Sequence, residues 1–577
     1  MYVVVVPGAE AALVLVDVDA SGTETARVVV PPDALARYVR EREADRPRWV
    51  WADTAATYPP LLATGVRVER CVDLRLCHAI LRASALTTAS ALARSPASAW
   101  DAPRSRPPVA AAQDGLFDLV PASDAALDPL AELRAQLDAV RQAGAEANRL
   151  NLLLAAESAG ALVAAELTAA GVPWRADVHD ALLADLLGPR PAPGYRPRLL
   201  EERGRDVRRL LDAPDLNPDS GPELLKALRH AGLGVSSTRS WELKDIDHPV
   251  IGPLLEYKKM SRLLAANGWH WLDTWVAGGR FRPTYVPGGV VTGRWASDGG
   301  GALQLPHQVR DAVRADPGWK LVVADAAQLE PRILAAMSGD AAMATAGRAA
   351  DMYEGIVAAG AVESRTHAKY GMLGAMYGGT QGVSGQVLPQ LTRAFPRAIG
   401  LVEQAARTGE RGDVVSTWLG RTSPRPGTDA EDAGPRGEWS ERSGTQADLA
   451  RARSWGRFTR NFIVQGTAAE WALSWMAILR QRLYALTLRE PGAAGAATAP
   501  AAAAATSPDF RTGPHLAFFL HDEVMVHTPA HLADEVAQLL RASAAEAGRL
   551  LFGPPGEAGV EFPVTVAIVD SYADAKD

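Results

Sequence analysis

The chain has 577 residues, 47% of them hydrophobic and 22% charged, with a formal net charge of −7; that length exceeds what one hydrophobic core serves and predicts several domains or subdomains. Two cysteines, Cys71 and Cys77, without metal-ligand spacing argue against a disulfide scaffold or a zinc ribbon. No uninterrupted apolar run of about 18 residues is present, so no membrane partner is expected, and the negative net charge does not exclude nucleic acid, because a phosphate backbone is met by a local basic surface.

The N-terminus breaks at Pro7 and Gly8 and carries no positive n-region, which predicts two strands and not a signal peptide, and hence a cytoplasmic protein. Val-rich runs (YVVVV, ALVLVDV, ARVVV, RWVWA) alternate with polar helical stretches to about residue 85, an α/β pattern. The Pro/Ser/Ala-rich stretch ALARSPASAWDAPRSRPPVAAAQDG reads as a linker or surface excursion. Leu/Ala periodicity predicts helix between about 128 and 190, with GVPW as a stop, and further helices run to about 276. GGRFRPTYVPGGVVTGRW reads as strands, and KLVVADAAQLEPRILAAMSGD as a strand, a turn and a helix, with helical patterns continuing to about 410. Residues 421–447, polar and Pro/Gly-rich, are expected to be poorly ordered, and the low-complexity segment 490–513 to form a surface loop. HLAFFLHDEVMVHTP predicts a hairpin, followed by a helix and a last strand, FPVTVAIV.

Chemistry concentrates in the second half. Asp325 follows the apolar run LVVA, where a carboxylate either caps a helix or offers oxygen to a metal; Glu330 and Arg332 follow, and Pro331 is tolerable in a first helical turn. The triplet His521, Asp522, Glu523 falls between LAFFL and VMV, where acids at a hairpin tip are either merely solvated or, with a second acid across a sheet, able to hold two Mg²⁺ ions. Between them Arg365, Lys369, Leu373 and Tyr377 recur every four residues on one helical stripe, a solvated basic face or a phosphate grip. The glycines at 371 and 374 suggest close approach of a flat ligand to the backbone.

These segments resemble the DNA polymerase I family, family A. DAAQLEPRILAAMSGD is similar to motif A (DYSQIELRxLAxxSxD), RTHAKYGMLGAMYG to motif B (RxxxKxxxFGxxYG), and HDE to motif C, in the right order. TGRW and LQLP resemble the TGRLSS and LQNIP elements; Arg457, Asn461 and QGTAAE resemble RxxxNxPxQGTAAD; and ESAGALVAAELTAAGVPW, LNPDSGPELLKAL and LLEYKKMSRL resemble segments ahead of the palm. The likeness covers roughly residues 150 to 577.

The resemblance implies an α/β and α+β multidomain protein: an RNase H-like 3′–5′ exonuclease-type domain over 1–149, then a right-hand polymerase with a helical thumb region over 150–290, palm over 291–340, fingers over 341–454 and palm again over 455–577. It implies an enzyme adding dNTPs to the primer 3′-hydroxyl on primed template DNA, acting as a monomer in replication or repair and, in a bacterium, near the nucleoid. Asp325 and Asp522 would ligate two Mg²⁺ ions, with Mn²⁺ a substitute; Glu523, Arg365 and Lys369 complete the catalytic set, the two cations on the β- and γ-phosphates. Gln328, Glu330, Leu373 and Tyr377 would contact the dNTP, Glu330 crowding the sugar 2′-carbon. Thr292, Arg294, Gln304, Arg457, Asn461, Gln465 and His521 would contact the primer-template. The chain departs from the pattern at Ala326 and Ala327 (family Tyr and Ser), Pro331 (Leu), Leu373 (aromatic) and Tyr353 (His). Over 1–149 Asp17, Asp19, Asp53 and Asp73 occur without the DxE and YxxxD patterns of the nuclease, so this domain is expected to be degenerate. The alternative reading is a non-catalytic DNA-binding scaffold derived from a polymerase.

Overall fold

The computed structural model describes residues 1–8, 12–102, 127–379, 382–427, 446–489, 508–553 and 559–576. Strands β1 (Tyr2–Pro7), β2 (Leu13–Val18) and β3 (Glu24–Val30) form an antiparallel meander. Helix α1 (Leu35–Arg42) then leads to β4 (Arg48–Trp51), which pairs parallel to β1; helix α2 (Thr54–Ala63) leads to β5 (Cys71–Asp73), parallel to β4. The resulting order is β3-β2-β1-β4-β5. Both faces are covered, which is why YVVVV is apolar throughout and does not alternate: Val3 and Val5 pack with Trp49, Trp51 and Tyr58, whereas Val4 packs with Val16, Leu74 and Leu133 on the other face. Helix α3 (Leu74–Ala83) follows β5, and after the linker come α4 (Pro129–Gln142) and α5 (Ala147–Ala170).

Helix α5 joins two cores. Leu162 and Ala170 pack into the N-terminal cluster, whereas Leu150, Leu153, Val163 and Leu167 belong to the main core. At this seam the Glu166 carboxylate meets Arg67 at 2.8 Å and Arg480 at 2.7 Å and accepts the Tyr58 hydroxyl at 2.7 Å. Helices α6 (Arg198–Leu210), α7 (Gly221–His230) and α8 (Ile251–Asn267) close around their own cluster, including Leu200, Leu224, Leu254 and Tyr257.

GGRFRPTYVPGGVVTGRW contains only two-residue strands, Arg280–Phe281 and Tyr285–Val286, because its glycines at 279, 288 and 293 turn the chain with positive φ. Strand β6 (Trp319–Ala326) is followed by α9 (Leu329–Ser338), α10 (Met352–Ala358), α11 (Arg365–Tyr377), α12 (Gly382–Ala394) and α13 (Pro396–Glu410). Helix α14 (Gln446–Arg489) has 44 residues and, at about 1.5 Å per residue, is about 66 Å long. Then come β7 (His515–Leu520), β8 (Glu523–Pro529), α15 (Ala533–Phe552) and β9 (Val564–Val569). These four strands form an antiparallel sheet, β7-β8-β6-β9.

Two expectations, of poor order in 421–447 and of a surface loop over 490–513, need revision where these segments are described. Within 421–447, Thr422 and Ser423 are buried and residues 416–422 form a clasp bridged between Ser416 and Thr422; residues 428–445 lie outside the described residues. Within 490–513, Pro508–Thr512 forms a helical turn with Phe510 buried, and 490–507 lie outside the described residues. Of the linker, 103–126 lie outside them as well.

Candidate active site

The register of the antiparallel sheet creates the site. Asp325, next to last in β6, pairs with Glu523 of β8, and the β7–β8 connection is a two-residue tip, His521 and Asp522. His521 adopts φ 60°, the left-handed conformation that tight hairpins select. The Ala326 amide donates to the Asp522 carbonyl at 3.1 Å, so two acids nearly 200 positions apart in sequence come together at one end of the inner strands, both half-buried. Oxygen-only donors of this kind suit a hard divalent cation. Among the described residues no cluster of three or more His, Cys, Asp or Glu side chains forms a larger metal cage.

Glu523, expected in the catalytic set, is the cross-strand partner of Asp325. It is 3% exposed and its carboxylate accepts the Tyr572 hydroxyl. Burial and the neighbouring Glu523 raise the Tyr572 phenol above its ordinary value. The cleft itself, of about 240 Å³, is lined by Arg294, Glu330, His521 and Asp522 together with apolar Trp295 and Phe519.

A chain of polar groups runs out from the cleft wall. Arg294 pairs with Glu330 Oε1; the Tyr377 hydroxyl donates to Glu330 Oε2 at 2.7 Å; and Gln465 Nε2 donates to the Tyr377 oxygen at 3.2 Å. Four residues from four separate sequence segments, expected at either nucleotide or primer-template, thus share one network. Burial, then the Glu330 carboxylate, raises the Tyr377 phenol.

The helical stripe on α11 is real: Arg365, Lys369 and Tyr377 are exposed and Leu373 half-buried. Arg365 is engaged, its guanidinium 2.7 Å from Asp351, which also caps α10 through the Tyr353 amide at 2.8 Å. Lys369 has no carboxylate within ion-pair distance among the described residues. The glycines of this helix need no ligand to explain them. A Cβ on Gly371 would lie 2.6 Å from Val387 and Leu391, and one on Gly374 would overlap Ser384, so both permit close packing against α12, not approach of a flat ligand.

Gln328, left-handed at φ 46°, spends its side-chain oxygen on the Met352 amide at 3.1 Å. Arg332 is 1% exposed and donates to the carbonyls of Ala327, Ala349 and Ala350, clamping the segment that carries Asp351. Thr292 is buried, Asn461 half-buried, and Arg457 lies under Gly378, where a Cβ would meet its Cγ at 2.7 Å. The Gln304 side chain lies outside the described residues. Sequence reading missed Asp351, Arg421 and Tyr572; only Asp351 had a local signal, an Asp directly before a helix.

In the N-terminal unit the four acids serve structure. Asp17 pairs with Arg42 at 3.1 Å, Asp19 closes its own turn, Asp53 caps α2 at the Ala55 amide, and Asp73 accepts the Thr54 amide at 2.9 Å and the Leu76 amide at 3.0 Å.

The family profile "DNA polymerase family A" matches residues 222–574. The chain is 25% identical over 353 residues to DNA polymerase I of Chloroflexus aurantiacus (55% of this chain, 32% of that protein) and 24% identical over 325 residues to the thermostable DNA polymerase I of Thermus filiformis (51% and 34%). It spans about a third of the length of the curated relatives it matches. The solved POL domain of Pol1 from M. smegmatis, in complex with DNA primer-template and dNTP, superposes with a TM-score of 0.66 at 19% identity, covering 100% of this chain and 96% of that one.

Proposed function

Since the chain belongs to DNA polymerase family A, we propose that it extends a DNA primer on a template strand by nucleotidyl transfer from dNTPs. The observation that carries this is the junction of Asp325 and Asp522 through the Ala326–Asp522 backbone bond, with Asp522, Arg294 and Glu330 lining one cleft and Tyr377 and Gln465 linked to Glu330.

Asp325 and Asp522 would hold two divalent cations, Mg²⁺ by preference for six-fold oxygen coordination. When bound, such ions supply acidification of the primer 3′-hydroxyl and neutralisation of the triphosphate. The chain's own residues do the rest. Lys369 and Arg365 present positive charge to the triphosphate, where charge accumulates as pyrophosphate leaves; Arg365 first exchanges its Asp351 carboxylate for phosphate oxygens. Glu330, held from two sides by Arg294 and Tyr377, forms a fixed wall against a sugar 2′-hydroxyl. Arg294 and Gln465 keep donor groups for duplex acceptors that do not depend on sequence.

In this reading β6–β9 form the palm, α10–α13 the fingers and α6–α8 the thumb. The strand order β3-β2-β1-β4-β5 supports an exonuclease-like ancestry for the N-terminal unit. Its acids are committed to caps and ion pairs and β1 carries none, which supports loss of nuclease activity. Degradation of a mismatched 3′ end that is abolished by Asp53→Ala would overturn this part.

A primer-extension assay with Mg²⁺ and dNTPs tests the main reading. Extension by the wild type and its loss in Asp522→Ala is the expected result; a folded wild type that does not extend refutes it.

A further inference from the structure

The loop Gly288–Arg294 wraps an ion pair buried between three parts of the chain. Glu157 of α5 is fully buried and its Oε2 lies 2.7 Å from Arg421 Nη2, whose side chain is 12% exposed. The two ends of the loop straddle this pair: a Cβ on Gly288 would lie 2.7 Å from Glu157 Oε1, and a Cβ on Gly293 2.6 Å from Arg421 Nε. Both glycines have positive φ, 61° and 85°. The turn is closed by Gly293 N to Val290 O at 2.8 Å and Val290 N to Arg294 O at 3.1 Å. Its third wall is α14, where a Cβ on Gly466 would come within 3.1 Å of the Thr292 carbonyl.

Arg421 is itself held from two directions. Its backbone exchanges bonds with Thr417 at 2.8 and 2.9 Å, and the clasp docks on α14 through Leu419 N to Glu470 (3.1 Å) and Trp418 N to Thr467 (3.0 Å). The N-terminal unit grips the residues on either side of it: Ser84 Oγ donates to the Gly420 carbonyl at 2.9 Å and the Ala85 amide to Thr422 Oγ1 at 2.8 Å. A planar guanidinium presents a flat face to an α-carbon while its edge binds a carboxylate, a combination that a lysine ammonium does not offer.

We propose that Arg421, locked to Glu157, is a positioning residue that sets the Gly293 turn and thereby aims Arg294 at Glu330, and that the N-terminal unit serves the polymerase site as its brace. The contact Arg294 makes with substrate rests on the polymerase reading; its aiming does not.

Two measurements test this. Hydrogen exchange needs no activity: in Arg421→Met the amides of the 290–294 turn should exchange roughly tenfold faster than in wild type, and unchanged protection overturns the proposal. In primer extension, Arg421→Met should lower kcat/KM by about tenfold to a hundredfold, the scale of a misplaced site group, but by less than about twofold when Arg294 is already alanine, since residues acting through one another are not additive. Equal losses in both backgrounds would mean that Arg421 acts elsewhere. Arg421→Lys keeps the charge on Glu157 and covers the case in which the methionine variant fails to fold; an intermediate loss, again absent in Arg294→Ala, is expected, and wild-type behaviour overturns the proposal. A wild type that does not extend primers refutes the polymerase reading and leaves the exchange result to decide the role of Arg421.

Discussion

Replacing Glu166 by glutamine removes the one carboxylate that two buried guanidiniums share. Arg67 and Arg480 are 6% and 4% exposed in their side chains, and Arg480 also donates to the Glu69 carbonyl at 2.9 Å, so neither can turn to solvent. Stranding one partner of a buried ion pair costs about 3–5 kcal/mol. The lowered pKa of the Glu166 carboxyl gives a second figure. Burial alone would raise the Glu166 carboxyl; Arg480 and then Arg67 override it and bring it from 4.5 down to about 2. A shift of that size corresponds to about 3 kcal/mol at 1.36 kcal/mol per unit. Because the folded value is the lower one, this stability is present above about pH 4.5 and is lost as the pH falls towards 2. Urea unfolding followed by tryptophan emission reports the loss, with Trp49 and Trp51, in the core that Glu166 borders, among the 15 tryptophans of the chain. Glu166→Gln should lose about 3–5 kcal/mol at pH 7.5, with the gap to wild type closing below pH 4.5. A loss under about 1 kcal/mol, or a gap independent of pH, would refute the reasoning.

Glu470 should behave in the opposite sense. Burial lifts its carboxyl to about 7 against the Thr417 hydroxyl and the Leu419 amide, so wild type should lose stability between pH 4.5 and 7 while Glu470→Gln does not; a glutamine variant less stable than wild type at pH 8 would refute this. Gly371→Ala drives a methyl into Val387 and Leu391 and should cost about 1–3 kcal/mol of stability, measurable by denaturant titration, with weaker primer extension because α11 is displaced. Leu373→Phe should change the ratio at which dideoxy- and deoxynucleotides are incorporated; equal ratios for the two enzymes count against a role at the nucleotide 3′-position.

Local patterns carried much of the fold. Val-rich runs became β1 to β4, LVVAD became the end of β6, and HLAFFLHDEVMVHTP became the β7–β8 hairpin, because each is written in short-range apolar periodicity and turn chemistry. Spaced motifs likewise marked Asp325, Asp522, Glu330 and Tyr377. What was not legible depends on packing between distant segments. Nothing local to Gly371 says that its neighbour is α12 and not a ligand, and nothing in STWLGR says that Arg421 will face Glu157, 264 positions away. The burial of Glu523 was not legible for the same reason: Tyr572, whose hydroxyl its carboxylate accepts, lies 49 residues on, in the C-terminal turn.

Helix α14 fastens only one end of α11. Arg460 donates to the Ala375 carbonyl at 2.8 Å, Arg457 underlies Gly378, and Gln465 reaches Tyr377, all within the last turn. Arg365 stands 12 residues away at the other end, a lever arm of about 18 Å at 1.5 Å per residue. Pivoting α11 about its anchored turn by 10° would sweep Arg365 through about 3 Å while moving Tyr377 hardly at all. The fulcrum therefore coincides with the Glu330–Tyr377 contact, so a pivot of α11 carries Arg365 and Lys369 while that contact stays still.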